Sequence, residues 1–206
     1  MEWLIIIAGF ISGSIPYSVL ITRLALRRDI RGVGDGNPGA FNVIRSGGLM
    51  WGGLAIFLDI GKGALPVAIA NFILGLEGWP LVAAAIAPVL GHAFSPFLRF
   101  KGGKAIATTG GMWIGLAGLH VITVAMIMLV YWYLAVTISG WAVMFTLLSV
   151  LLYLILSAAH WTLLAAWTLS LLVLIWKHRE DLKQRPKLKL SPLFRPFFKN
   201  AEFAQS

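Results

Sequence analysis

The sequence has no cysteine and very few charged residues. Of its 206 residues only 12% are Asp, Glu, Lys or Arg, while 59% are hydrophobic. Soluble domains carry about a quarter charged residues, so this deficit indicates a chain whose solvent is largely a lipid bilayer. The absence of cysteine excludes a disulfide framework, a thiolate metal site and a cysteine nucleophile.

Motifs of several common catalytic sites are missing as well. No histidine is followed five positions later by an aspartate, which excludes the His-x4-Asp acyltransferase box. The sequence also contains no G-x-S-x-G elbow, H-E-x-x-H zinc motif or EF-hand loop. Gly34, Gly36 and Gly39 match the spacing of the dinucleotide fingerprint, but that motif follows a β-strand, whereas these glycines follow an apolar span. We therefore expect chemistry without a metal ion or other cofactor.

The apolar residues form runs of membrane-spanning length. Three runs, 3–22, 49–74 and 79–98, are each at least as long as the roughly 20 residues that cross a bilayer as a helix. Residues 105–176 contain no Lys, Arg, Asp or Glu, and basic residues flank them on both sides. Because basic loops stay on the cytoplasmic side, this stretch crosses an even number of times, and four short helices fit its length better than two long ones.

These runs predict an all-α fold in a single domain, a multi-pass membrane protein with seven transmembrane helices. The N-terminus is predicted to lie outside and the C-terminus in the cytoplasm. The chain has a net charge of +9, and its Lys and Arg residues concentrate in three cytoplasmic polar segments, 23–48, 99–104 and 177–206. This placement beside apolar runs is typical of membrane proteins and argues against a nucleic-acid partner. Three cationic segments at one face of the membrane would suit an anionic headgroup or a phosphorylated metabolite.

Two local features bear on such a site. The first polar segment contains a glycine-rich stretch, Asp29–Arg45, which we expect to be a loop whose main-chain N–H groups converge on an anion. Asp59 and Lys62 lie three residues apart within the second apolar run, so a helix places them on one face, where they can form an ion pair.

Three stretches, in order along nearly the whole chain, resemble the bacterial acyl-phosphate:glycerol-3-phosphate acyltransferase family of small integral membrane enzymes. The first is GSIPYSVLITRL followed by DIRGVGDGNPGAFNVIR, the second is LDIGKGALPV followed by GHAFSPFLRFKGGKAIAT, and the third is KHREDLKQR. The resemblance implies a seven-helix enzyme of phospholipid synthesis in the plasma (inner) membrane. It would transfer a fatty acyl group from acyl phosphate to glycerol 3-phosphate, giving lysophosphatidate and phosphate without a cofactor or metal ion.

The same resemblance, together with the residues that this chain has at the positions of the family motifs, gives the expected site. The residues expected to act in catalysis are Asp35, Arg45, Lys104 and His178. The residues expected to bind substrate are Gly36, Asn37, Gly39, Asn42, Gly102, Gly103, Thr137 and Asp181.

The sequence departs from the family pattern at several of these positions. Asp35 and Thr137 stand where the family has serines, Phe41 where it has a threonine, and Asp181 where it has an asparagine, and a Pro- and Lys-rich tail replaces the closing motif. A carboxylate that faces a phosphate repels it. Two alternatives therefore stay open. The same scaffold could act on a different, non-phosphorylated acceptor, with Asp35 as hydrogen-bond partner or general base, or the chain could be a non-catalytic lipid-binding or transport protein.

Overall fold

The computed structural model describes residues 2–189, and within that range the regular structure is helical apart from one β-bridge between Val136 and Leu188. The α-helices of this range are α1 (Glu2–Ser14), α2 (Tyr17–Leu24), α3 (Ala40–Ala68), α4 (Gly78–Ala93), α5 (Ile106–Ala117), α6 (Leu119–Ala135), α7 (Ser139–Leu156), α8 (Trp161–Lys177) and α9 (Arg179–Leu182). Short 3-10 turns cover Ile30–Gly32 and Pro96–Leu98, and a π-helical turn covers Ile69–Ile73.

Four helical stretches in the described part of the chain are long and apolar enough to cross a membrane. They are Glu2–Leu24, Ala40–Ile73, Gly78–Leu98 and Ser139–Leu156, and the apolar helices α5, α6 and α8 are shorter. The charge-free stretch contains the four helices α5 to α8, as predicted. The all-α fold is therefore confirmed for the described residues, and several of its helices are apolar enough for a membrane protein, while the seven crossings and the orientation of the termini stay predictions. Of the predicted polar segment 177–206, residues 190–206 lie outside the described residues.

The glycine-rich stretch is shorter than the sequence predicted. We expected a loop over Asp29–Arg45, but α3 begins at Ala40, so the last six residues of that stretch are helical. The reason is that Ala40 and Val43 lie three residues apart and are both buried, which gives this part of the chain the periodicity of a helix packed on one side. Gly48, with a φ of +81°, then bends the chain where the predicted apolar run begins.

Helix α4 forms the centre of the bundle, since 11 of its 16 residues are buried. Helix α1 crosses it at very short range through small residues. A Cβ atom on Gly13 would overlap the main chain of Pro88, and one on Gly91 would overlap the carbonyl oxygen of Phe10. Close contact between small residues is the usual way in which helices associate within a membrane, where burial of apolar surface gives little driving force.

Asp59 and Lys62 form the predicted ion pair inside α3. The Nζ of Lys62 lies 2.7 Å from Oδ1 of Asp59, and both side chains are buried. The same ammonium donates a hydrogen bond of 2.8 Å to the carbonyl oxygen of Ile15. Ile15 lies at the break between α1 and α2, where Pro16 interrupts the regular helical hydrogen bonds. The ion pair therefore stabilises a helix break in a region that offers few other donors.

Candidate active site

A polar cluster forms where three segments meet: the glycine-rich loop before α3, the loop between α4 and α5, and α9. At its centre, Nζ of Lys104 lies 3.2 Å from Oδ2 of Asp35 and 3.1 Å from Oδ2 of Asp181. One residue of each segment thus takes part in a carboxylate–ammonium–carboxylate bridge. The Asp35 side chain is 52% exposed, against 22% for Lys104 and 25% for Asp181, so the bridge is most open to solvent at Asp35.

The glycine-rich loop is fixed by one buried anchor and two left-handed residues. Ile30 is fully buried, and Gly34 and Gly36 have φ angles of +60° and +68°, which glycine adopts without steric penalty. Gly34 also lies directly against α3. A Cβ atom there would overlap the amide of Asn42 and the guanidinium of Arg45, so a side chain at position 34 would displace these two groups.

Asn42, in the first turn of α3, connects the helix to the loop although its side chain is buried. Its Nδ2 donates to Oδ1 of Asp35 at 2.8 Å and to the carbonyl oxygen of Asn37 at 2.9 Å, and its Oδ1 accepts a long bond of 3.4 Å from Nη1 of Arg45. The main-chain N–H of Asn37 donates to Oδ1 of Asp35 at 3.2 Å. Together with Lys104, these groups supply three donors to one carboxylate.

The start of α5 presents main-chain donors next to Lys104. Ala105, with a φ of +61°, precedes the first helical residue, Ile106. The main-chain N–H groups of residues 104–108 find no acceptor within the described range 2–189. Free N–H groups at a helix N-terminus, with a lysine beside them, are a typical arrangement for binding phosphate or another anion.

On the opposite side of Lys104, the Asp181 carboxylate also accepts a bond of 3.3 Å from Oγ of Ser139, the first residue of α7. A Cβ atom on Gly140 would overlap the side chain of Asp181, so glycine permits this close approach of α7 to α9.

His178 lies buried between α8 and α9, with Nδ1 at 2.9 Å from the carbonyl oxygen of Leu174. Nδ1 is therefore the protonated nitrogen of the neutral ring, and Nε2 has no partner among the described residues.

The cluster keeps its charges at neutral pH. Burial raises the pKa of Asp35, but hydrogen bonds from Asn42 and Lys104 outweigh burial and hold that pKa below its ordinary value. Burial lowers the pKa of Lys104, but Asp181 and Asp35 reverse this effect and raise it. For His178 burial dominates and lowers the pKa, so the imidazole is neutral. The bridge consequently carries one positive and two negative charges.

An apolar cavity of about 230 Å³ begins at this cluster. Lys104 and Asn37 line its polar end, and from there it extends between α5, α6 and α7, where its walls include Trp113 and Leu147. Met126 of α6 lines it too and has half of its surface exposed, so the cavity approaches the outer, lipid-facing surface. A polar head site joined to an apolar cavity can hold a molecule with an anionic head and a hydrocarbon chain.

Phe41 borders the same cavity. Its ring stacks on Tyr133 of α6, with centroids 6.2 Å apart and 26° between the planes, and 61% of the residue is exposed. Phe41, which stands where the family pattern has a threonine, therefore adds an aromatic contact between α3 and α6 at the edge of the cavity.

Most of the predicted residues belong to this site. Six of them form the bridge and its immediate partners: Asp35, Asn37, Asn42, Arg45, Lys104 and Asp181. Gly36 and Gly39 belong to the glycine-rich loop, and Gly102 and Gly103 belong to the loop between α4 and α5. His178 lies buried behind α9. Thr137 is not part of the cluster: it is exposed, and its N–H donates to the carbonyl oxygen of Lys187. The hydroxyl that contacts the site belongs to Ser139, which sequence reasoning missed, although Ser is a common residue at the start of a helix.

The sequence has clear relatives. Residues 3–186 match the family model described as glycerol-3-phosphate acyltransferase. The glycerol-3-phosphate acyltransferase of Agrobacterium fabrum is 36% identical over 181 residues, which cover 85% of this chain and 84% of that one. The one of Bacillus subtilis is 36% identical over 191 residues, covering 90% of this chain and 97% of that one. The one of Anaeromyxobacter dehalogenans is 44% identical over 126 residues, and there the match covers 56% of this chain and 62% of the relative.

Two crystal structures of PlsY, an integral membrane glycerol 3-phosphate acyltransferase, have a similar fold. The glycerol 3-phosphate form has a TM-score of 0.82 at 31% sequence identity, and the lysophosphatidic acid form has a TM-score of 0.78 at 28%. Each comparison covers 88% of this chain and 90% of the other. The family model spans most of the sequence, and both the Agrobacterium and the Bacillus relatives are matched over most of their length. This chain belongs to the glycerol-3-phosphate acyltransferase family.

Proposed function

We propose that the protein is a membrane acyltransferase that moves a fatty acyl group from acyl phosphate to glycerol 3-phosphate, giving lysophosphatidate and inorganic phosphate. Membership of the family supports the acceptor, as does the likeness to PlsY in forms with glycerol 3-phosphate and with lysophosphatidic acid. The observation that carries the proposal is the position of Lys104 and the free N–H groups of α5 at the polar end of an apolar cavity.

The proposed reaction needs no covalent intermediate on the protein. A hydroxyl oxygen of the acceptor attacks the carbonyl carbon of acyl phosphate, and the bond between that carbon and the phosphate oxygen breaks. The phosphate leaves with the bonding electrons and takes up the proton that the hydroxyl loses. Because acyl phosphate is already activated, the protein contributes mainly by aligning the two substrates and stabilising the negative charge that develops.

Lys104 and the N-terminus of α5 suit the donor phosphate. The ammonium is the central cation of the cluster, and the N–H groups of residues 104–108 are donors without acceptors in the described structure. With the phosphate held there, the acyl chain extends into the cavity, and the carbonyl carbon lies between the polar and the apolar part. This arrangement separates the anionic leaving group from the hydrocarbon.

The acceptor phosphate suits the side of the cluster formed by the glycine-rich loop. Arg45 is exposed beside Asn42, and its guanidinium can form two parallel hydrogen bonds with a phosphate. Asp35 does not present an isolated negative charge to that phosphate, because Lys104 lies 3.2 Å from it and Asn42 also donates to it. We further propose that Asp181 orients Lys104 from the other side, and that the buried, neutral His178 supports α9.

The topology that we propose has seven crossings, with the N-terminus outside and the C-terminus in the cytoplasm of a cell bounded by the plasma (inner) membrane. It is supported by the clustering of the polar segments: loops before α3 and α5 and helix α9 meet at one end of the bundle. Basic residues near that end favour the cytoplasmic side, where phosphorylated metabolites are found.

Activity in a defined membrane tests the proposal. Purified protein in nanodiscs, supplied with radiolabelled glycerol 3-phosphate and palmitoyl phosphate, is expected to form lysophosphatidate and to release one phosphate per acyl group. Lys104→Ala is expected to lower kcat/KM about 100-fold, the scale of losing one donor to a developing oxyanion. Lys183→Ala is the matched control, since that lysine pairs with the exposed Glu180 on the surface. Absence of product from the unaltered protein, or full activity of Lys104→Ala, would contradict the proposal.

The two carboxylates on Lys104 favour one second candidate, an acyltransferase whose acceptor is a non-phosphorylated alcohol. Asp35 and Asp181 place two negative charges against one ammonium, which suits a neutral or cationic acceptor better than an anion. A panel of acceptors under equal conditions decides between the candidates. Faster transfer to a neutral polyol or an amino alcohol than to glycerol 3-phosphate would support the second candidate, and the reverse order would reject it.

A further inference from the structure

The turn Lys101–Lys104, which precedes α5 and carries Lys104, is held from two sides by residues that do not belong to the polar cluster. One is Lys177, the last residue of α8, and the other is His92, near the end of α4. Neither contacts Asp35 or Asp181.

Lys177 fixes the turn through main-chain carbonyl groups. Its Nζ donates to the carbonyl oxygen of Gly102 at 2.8 Å and to that of Ala93 at 2.9 Å, and it lies 5.6 Å from the centre of the Phe94 ring. One ammonium therefore joins the end of α8, the end of α4 and the turn before α5. Two of its three protons are used in these bonds, so its role here is to hold the main chain.

His92 supports the same turn from inside the bundle. The main-chain N–H of Gly103 donates to the carbonyl oxygen of His92 at 3.2 Å. The imidazole lies so close to Gly103 that a Cβ atom there would overlap Nε2. Behind the ring, Nδ1 lies 3.8 Å from Oδ1 of Asp59, the carboxylate that Lys62 holds. The imidazole thus lies between the turn and the ion pair of α3, and at 3.8 Å it makes no hydrogen bond to Asp59.

The turn determines where the donors of α5 point. If Gly102 and Gly103 shift, Lys104 and the N–H groups of residues 104–108 shift with them, because they follow directly in the chain. We propose that Lys177 and His92 are positioning residues that hold this turn in the geometry that binds the phosphate of the acyl donor. This inference rests on the proposed function, and it assigns the two residues to the donor phosphate rather than to the acceptor.

Kinetics that treat the two substrates separately test the assignment. Lys177→Met keeps the length of the side chain and removes both hydrogen bonds, so the KM for palmitoyl phosphate is expected to rise at least tenfold while the KM for glycerol 3-phosphate changes less than twofold. The inhibition constant of inorganic phosphate against the acyl donor is expected to rise by the same factor. Lys177→Arg, which can still donate to both carbonyl groups, is expected to restore most of the donor affinity. Lys189→Met is the matched control, because Nζ of Lys189 also donates to a main-chain carbonyl, that of Tyr133 at 2.6 Å, outside the turn.

A double-mutant cycle tests the contact between His92 and Gly103. Gly103→Ala alone is expected to raise the donor KM, since the new methyl group meets the imidazole. In the His92→Ala background the same change is expected to have an effect at least threefold smaller, because the obstructing ring is gone. This cycle keeps the inference testable even if Lys177→Met unfolds.

The outcomes separate the inference from the proposed function. If the unaltered protein forms lysophosphatidate but Lys177→Met leaves the donor KM unchanged, or raises the two KM values equally, the positioning role is wrong and the proposed function stands. Additive effects in the His92 and Gly103 cycle would likewise reject the contact. If the unaltered protein transfers no acyl group to glycerol 3-phosphate, both are overturned.

Discussion

The ammonium of Lys104 lies 3.2 Å from the carboxylate of Asp35, which stands where the family pattern has a serine. The sequence alone leads us to expect that an aspartate at this position repels a substrate phosphate. In the folded protein the Asp35 carboxylate instead pairs with Lys104, the residue that the proposed function assigns to the donor phosphate. The aspartate at position 35 thus gives Lys104 an ionic partner before any substrate binds. Because Asp181 lies 3.1 Å away on the other side, a phosphate that binds Lys104 competes with two carboxylates.

Asp35 also belongs to the glycine-rich loop, beside the site proposed for the acceptor phosphate, so removal of its carboxylate predicts a gain in affinity for that phosphate. Asp35→Ser is expected to lower the KM for glycerol 3-phosphate two- to fivefold. The effect is modest because Asp35 is half exposed, and exposed ion pairs contribute roughly 0.2–1 kcal/mol. Asp181→Asn in addition should lower the KM further. Initial rates at saturating acyl phosphate measure both variants. A higher KM in Asp35→Ser, together with lost transfer to a neutral alcohol, would instead favour the non-phosphorylated acceptor.

The second prediction concerns the contact of the glycine-rich loop with α3. Gly34→Ala introduces a methyl group that overlaps Asn42 and Arg45, at a residue whose φ of +60° disfavours any side chain. We expect kcat/KM for glycerol 3-phosphate to fall at least tenfold. Gly53→Ala is the control, since Gly53 is helical with open space around it, and alanine favours a helix by roughly 0.5–1 kcal/mol. Equal activity of the two variants would contradict the role of Gly34.

The sequence was sufficient to predict those features that depend on residues close together along the chain. The ion pair of Asp59 and Lys62 follows from helical spacing, and the division of residues 105–176 into four helices follows from charge and length. Other contacts could not be derived in this way. Lys177 meets Gly102 across 75 positions, and no periodicity links the two residues. The start of α3 at Ala40 was missed because glycines and asparagines in the same stretch suggested a loop.

A pH dependence of stability is expected from His178. Burial lowers its pKa in the folded protein, so between that pKa and the ordinary value near 6.5 the unfolded chain binds more protons than the folded one. Stability contributed by this group is therefore fully present above pH 6.5 and is lost as pH falls below it, with a slope of at most about 1.4 kcal/mol per pH unit. Thermal unfolding in detergent from pH 7.5 to 5 measures the slope.

A variant and a control assign that slope to one residue. His178→Gln removes the titrating group and is expected to flatten the dependence, although its absolute stability falls because a buried side chain has been replaced. His120→Gln, at an exposed position at the start of α6, is expected to retain the slope of the unaltered protein. An unchanged slope in His178→Gln would show that another group carries the effect.

The last prediction uses the cavity as a measure of acyl-chain length. Ala125 of α6 lines it between α5 and α7, so Ala125→Phe fills space that the proposed function assigns to the distal part of the chain. Decanoyl phosphate is expected to remain a substrate, while kcat/KM for palmitoyl phosphate falls about tenfold, because the added ring and the last methylene groups exclude each other. Ile127→Phe, two residues along on the exposed side of α6, is expected to leave the preference unchanged. If both substrates decline equally in Ala125→Phe, the acyl chain does not occupy this cavity.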